Sequence, residues 1–184
     1  MPKPSLVIVI VEDERHEMLV RRYLRRRGME PHQMTFVPSP SGRGSAEQWV
    51  RARFGKEVKA CRNRQARKAT TGLIIVIDAD VHTVRRRMGQ LDEALAASGA
   101  EPIENDEQIV RLVPKRNVET WILCLNELAV DEVTDYKGTG NDWAGMIPPA
   151  SEALYRWTRP NTVLPNNCTD SLRRGIMELN RLRF

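Results

Sequence analysis

The sequence predicts an α/β protein: an open, mostly parallel sheet with helices on both faces, plus a C-terminal helical appendage. Three observations carry this prediction. Short runs of β-branched apolar residues recur, continuous rather than alternating, as strands buried on both faces of a parallel sheet require. Stretches of helical length and period separate them, so strand and helix alternate along the chain. After about Ala129 the pattern changes to loop and short helices without further strands.

The elements follow in order. "SLVIVIVE" (5–12) reads as a buried strand, and "DERHEMLVRRYLRRRG" as a helix with Val20, Tyr23 and Leu24 inward, closed by Gly28. "QMTFVPS" reads as a second strand running into the turn "PSPSGRG". Ser45 and Gln48 have capping-box spacing, so a helix carrying Trp49, Val50 and Phe54 starts there. The basic stretch from about Gly55 to Thr71 is compatible with helix or with mobile loop. "GLIIVIDAD" is a third strand, a helix runs from about His82 to Ser98, and "QIVRLVP" is a fourth strand. In "RNVETWILCLNE" Val118, Trp121, Ile122 and Leu125 share one helical face. "VTDYKGTGNDWAGMIPP" reads as loop, followed by helices near 151–157 and 169–182. Residues 1–129 are expected to form the α/β domain, and 130–184 a helical extension packed on it.

Composition excludes several classes. At 184 residues, with 41% hydrophobic and 29% charged residues, the chain supports one substantial globular core. No apolar run approaches the roughly 20 residues of a membrane span. "MPKPSLVIVIVEDE" ends its short apolar run in acids, unlike a signal peptide. Cys61, Cys124 and Cys168 are widely spaced and odd in number, which argues against a disulfide framework or a cysteine zinc site. The expectation is a cytoplasmic protein. A formal charge of +5 is compatible with nucleic acid, and its distribution says more. Arg21, Arg22, Arg25, Arg26 and Arg27 form one block. Arg51, Arg53, Lys56, Lys59, Arg62, Arg64, Arg67 and Lys68 form a second, and Arg85, Arg86 and Arg87 a third. Each alone reads equally well as a solvated helix face; together they favour a polyanion surface.

In a parallel sheet the C-terminal strand ends share one edge, where ligands bind. Glu12 ends the first strand, Asp78 and Asp80 end the third, and Lys115 follows the fourth. Three acids and a lysine are thus expected on one rim. Crowded carboxylates need a cation, and oxygen-only donors suit Mg2+ or Mn2+. Read singly, an acid at a strand end is an ordinary helix cap, and Asp13 and Asp80 could each cap the helix that follows. Glu119, one helical turn beyond Lys115, is a further acid. His16, His32 and His82 lack zinc-ligand spacing and read as surface histidines.

A glutamate closing the first strand and Asp-x-Asp closing a later one, in "VIVIVEDE" and "IIVIDAD", resembles the TOPRIM domain of topoisomerases, primases and certain nucleases. Lys115 in "LVPKRNVETW" is similar to the lysine of the OLD-like branch of TOPRIM nucleases. The resemblance spans roughly 5–128. It departs from the family where a glycine commonly follows the glutamate and this chain has Asp13-Glu14-Arg15. It implies a metal-dependent nuclease using Mg2+ or Mn2+: Glu12 as metal ligand or general base, Asp78 and Asp80 as metal ligands, and Lys115 as phosphate stabiliser. Asp13 and Glu119 are accessory acids. It places Arg43, in the Gly-rich turn, near a DNA or RNA backbone, which the basic stretch from Arg51 to Lys68 and the Arg21 to Arg27 block are expected to hold. It also implies antiviral defence with a separate ATPase partner, since the chain carries no phosphate-binding P-loop, or control through a homodimer.

Two other readings fit. In a response-regulator receiver Asp78 would be the phosphoacceptor, but the gap from Asp13 to Asp78 is long, the lysine follows a proline rather than preceding it, and Asp80 has no task. The third reading is a non-catalytic TOPRIM-like nucleic-acid-binding subunit.

Overall fold

A computed structural model describes residues 3–39, 45–67 and 69–184. Arg43 and Lys68, expected at the nucleic acid, lie outside them. Four strands, β1 (Leu6–Val11), β2 (Met34–Pro38), β3 (Thr71–Val76) and β4 (Ile109–Leu112), form an all-parallel sheet in the order β2-β1-β3-β4. Six helices accompany it: α1 (Glu14–Arg26), α2 (Ala46–Ala66), α3 (Val84–Ala97), α4 (Val118–Leu125), α5 (Trp143–Trp157) and α6 (Asp170–Leu179).

The period of two sorts the strand residues between two cores. Val7, Val9, Val11, Ile74, Val76, Val110 and Leu112 face a cluster built with α1, α4, α5 and α6. Ile8, Ile10, Leu73, Ile75 and Ile109 face a second, built with Val50, Phe54, Val58 and Cys61 of α2 and Met88, Leu91 and Leu95 of α3. Both faces are therefore buried, which is why the strands are continuous apolar runs.

Some open readings are decided here, and other elements differ from expectation. The basic stretch after Gly55 is helix through Ala66, because Val58 and Cys61 continue the buried face of Val50 and Phe54. Asp13 caps α1, accepting from the N–H groups of Arg15 and His16 at 3.0 and 3.1 Å. Asp80 caps nothing: Thr83 caps α3, while Asp80 adopts φ 52° and pairs with Arg116 in an isolated antiparallel bridge. The segment expected to be loop before Ser151 is helical from Trp143, although Pro148 and Pro149 lie beyond its first turn, where proline normally breaks a helix. Packing of Ile147, Ala150 and Leu154 in the α1 and α4 cluster offsets the missing N–H groups. No helix among the described residues is long and apolar enough to cross a membrane. All three cysteines are free thiols.

Candidate active site at the carboxyl edge of the sheet

The register sets the rim. Val11 lies opposite Pro38 on one side and Val76 on the other, and Val76 lies opposite Leu112, so all four strands end level. β1 and β3 are the neighbours from which the chain winds in opposite directions, the switch point where an open α/β sheet leaves a crevice. Glu12 follows β1 and Asp78 follows β3, and the Asp78 N–H donates to Glu12 Oε2 at 3.1 Å. Past their ends β3 and β4 stay tied, the N–H groups of Ala79 and Asp80 donating to the carbonyls of Pro114 and Arg116 at 2.9 and 3.1 Å. This strap brings Lys115 beside the acids, its ammonium 3.4 Å from the Asp80 carbonyl.

His16 is not the surface histidine its spacing suggested. It is fully buried, with Nε2 2.9 Å from Asp78 Oδ1 and Nδ1 3.2 Å from Asp13 Oδ1. Neutral, the ring accepts the Asp13 N–H at Nδ1; charged, it donates from Nδ1 to the Asp13 carboxylate instead. Burial opposes the charge, but Asp78 and Asp13 together hold the imidazole well above its ordinary pKa. The reason lies in position. Asp13 caps α1, so the side chain of the third helical residue turns back over the cap and under the end of β3.

Three more side chains close the group. Glu119, in the first turn of α4, is fully buried and takes an ion pair from Arg15, whose guanidinium stacks 5.3 Å from the Trp143 ring centre. Its other oxygen, Oε2, is buried with no hydrogen-bond partner among the described residues. Lys137, on the loop between α4 and α5, sets its ammonium 3.6 Å from Asp13 Oδ2. Burial would lower its pKa, yet Asp13, Asp78, Glu119 and Glu12 together raise it. Arg87, expected in a surface block, is only 2% exposed: it donates to the Asp78 carbonyl at 2.8 Å and pairs with Glu47 and Asp80.

The electrostatics are those of a site short of positive charge. Burial, then repulsion from Asp78, pushes Glu12 up to about 7. Burial also raises Asp78, against the pull of His16, while His16 outweighs burial to hold Asp13 below the usual carboxylate range. Asp13, His16 and Asp78 each offer one donor atom, all within 4.8 Å of one another. A raised carboxyl, an unpartnered buried carboxylate oxygen and this donor triplet fit a divalent cation. Of the expected ligands, Glu12 and Asp78 meet in this group. Asp80 stands at its margin, exposed and turned to Arg87 at 3.3 Å.

The basic block of α2 behaves differently. The helix starts near the rim and runs away from it toward the start of β3. Arg51 and Arg53 pair with Glu47 and Glu57 of the same helix, Arg62 pairs with Glu107 just before β4, and Lys59 donates to the Ser98 carbonyl. Lys56, Arg64 and Arg67 form no ion pair among the described residues. In the α1 block, Arg21 pairs with Glu17 and Arg26 with Glu152.

No protein-family model matches this chain, no curated protein is significantly similar to it, and no solved structure matches it significantly. The site therefore stands on its own geometry. Sequence reasoning missed His16 and Lys137. The Asp13-x-x-His16 spacing of a capping box was the available signal for the first, and a lysine in a loop left none for the second.

Proposed function

We propose that this chain is a TOPRIM-like, metal-dependent nuclease that hydrolyses phosphodiester bonds of DNA or RNA. One observation carries the reading: Glu12, Asp13, Asp78 and Glu119, from three separate parts of the chain, crowd at the switch point of a parallel sheet with Lys137 beside them and Lys115 on the adjoining strap. Asp78 and Glu119, with Glu12 and the marginal Asp80, are the residues to hold Mg2+ or Mn2+. The bound ion supplies Lewis acidity toward a phosphate oxygen and a bound water. Glu12, titrating near neutrality, is the ligand or the base that takes the proton from attacking water. Lys115 and Lys137 neutralise charge gathering on the phosphate. Arg15 pairs with Glu119, and His16 holds Asp78. Cytoplasmic antiviral defence with a separate ATPase, or control through a homodimer, follows from the TOPRIM resemblance.

A receiver would use Asp78 as phosphoacceptor, but that side chain is 2% exposed and one of its oxygens is held by His16. The test is cleavage of supercoiled plasmid and of transfer RNA with Mg2+ or Mn2+, wild type against Asp78→Asn, with EDTA as control. Metal-dependent cleavage reduced at least 100-fold in Asp78→Asn is the expected result, on the order of the rate decrease when a key charge-stabilising group is removed. Labelling at Asp78 by acetyl phosphate, with no cleavage, would decide for the receiver.

A further inference from the structure

We infer that Asp13, His16 and Asp78 form a mixed nitrogen and oxygen site for a divalent transition ion of the Mn2+ to Zn2+ series, with His16 as a direct ligand. This deepens the reading above and rests on the same acid rim.

His16 Nε2 and Asp78 Oδ1 lie 2.9 Å apart, joined by a hydrogen bond whose proton a bound ion would displace. Donors about 2.1 Å from a shared ion are separated by roughly 3.0 to 3.4 Å, depending on whether the geometry is octahedral or tetrahedral. The set is also built rather than incidental. His16 is fully buried and Asp78 is 2% exposed. Asp13 is fixed by the two helix N–H groups it caps, which leaves its Oδ2 toward Lys137. Glu119 adds an independent observation: its buried Oε2 has no hydrogen-bond partner among the described residues, and its charge is felt at Asp78.

The chemistry then decides which ion. Mg2+ takes oxygen donors and keeps its waters, so a buried imidazole adds little to its binding. Mn2+, Co2+ and Zn2+ accept imidazole nitrogen, with affinity rising broadly along the series. A site with this nitrogen at its centre therefore prefers the transition ion.

The experiment uses the full chain with Mn2+ alone as the probe, read by pulsed electron paramagnetic resonance. His32 and His82 are exposed, so His32→Gln with His82→Gln leaves His16 as the one imidazole. The expected result is a nitrogen-14 modulation on bound Mn2+, converted to the nitrogen-15 pattern when histidine is isotopically labelled, and absent in His16→Gln. The labelling arm needs no substitution at His16, so poor folding of that variant does not blunt the test. Calorimetry is expected to show Co2+ binding at least tenfold tighter than Mg2+, and the preference shrinking in His16→Gln. Bound Mn2+ without nitrogen modulation overturns the inference, and metal-dependent cleavage by that same protein leaves the nuclease reading standing. Nitrogen modulation without cleavage of any substrate supports the metal site and sinks the nuclease. Failure to take up Mn2+ at all overturns the site.

Discussion

Glu12 bears the cost of the crowded rim. Its carboxyl titrates near 7, against the ordinary 4.5, through burial and the neighbouring Asp78. Between those values the folded chain holds a proton that the unfolded chain has released, so stability falls as pH rises from about 4.5 through 7. The full displacement corresponds to about 3 kcal/mol, all of it acting against the fold at pH 8. Glu12→Gln keeps an acceptor for the Asp78 N–H and removes the charge. In metal-free protein at pH 8 it is expected to raise the unfolding free energy in urea by about 1–3 kcal/mol, with a smaller gain at pH 5. A decrease in stability at pH 8 would show that Glu12 sits comfortably as an anion. Glu12 and Asp78 were legible because strand ends in a parallel sheet converge by rule. His16 was not: its partner Asp78 is 62 residues away, and nothing local to a helical histidine names such a partner.

At the scale of elements, α6 is fitted to α4 through a glycine. A Cβ on Gly175 would lie 2.3 Å from Trp121, whose indole N–H donates to Ser171 Oγ at 2.7 Å. The same hydroxyl accepts the Lys115 N–H at 3.1 Å, so one serine links α6, α4 and the strap at the rim. Gly175→Ala gains helix propensity on an isolated helix, but here it forces the buried Trp121 aside. Overpacking of this kind outweighs propensity, so a destabilisation of about 1–3 kcal/mol is expected, read as a lower denaturant midpoint at unchanged slope. Stabilisation by that substitution would mean the two helices pack more loosely than this close approach requires. The four strands and the first helix could be read from periodicity. The first half of α5 could not, since Pro148-Pro149 speaks for a break locally and only burial against α1 and α4 overrides it.

At the scale of the whole molecule, charge is sorted by the direction of the chain. Each helix that follows a strand begins at the carboxyl edge and ends at the opposite one. The start of α3, with exposed Arg85 and Arg86, therefore stands at the rim, and the end of α2, with Arg64 and Arg67, stands far from it. Arg85 and Arg86 form no ion pair among the described residues, whereas Arg62 is spent on Glu107. Sequence blocks could not make this distinction, because a run of basic residues carries no record of which end of the sheet it reaches. A polyanion fed into the acid rim would thus meet Arg85, Arg86 and Lys115 before the tail of α2. Neutralising Arg85 and Arg86 to glutamine is expected to lower duplex affinity and flatten the salt dependence by about 1.8 in log–log slope, about 0.9 for each phosphate left without its arginine. Arg64→Gln with Arg67→Gln is expected to leave that slope unchanged. Fluorescence anisotropy across a salt series, in EDTA to prevent cleavage, measures both. A flattened slope in the second pair alone would move the nucleic acid to the α2 face and detach it from the acids of the rim.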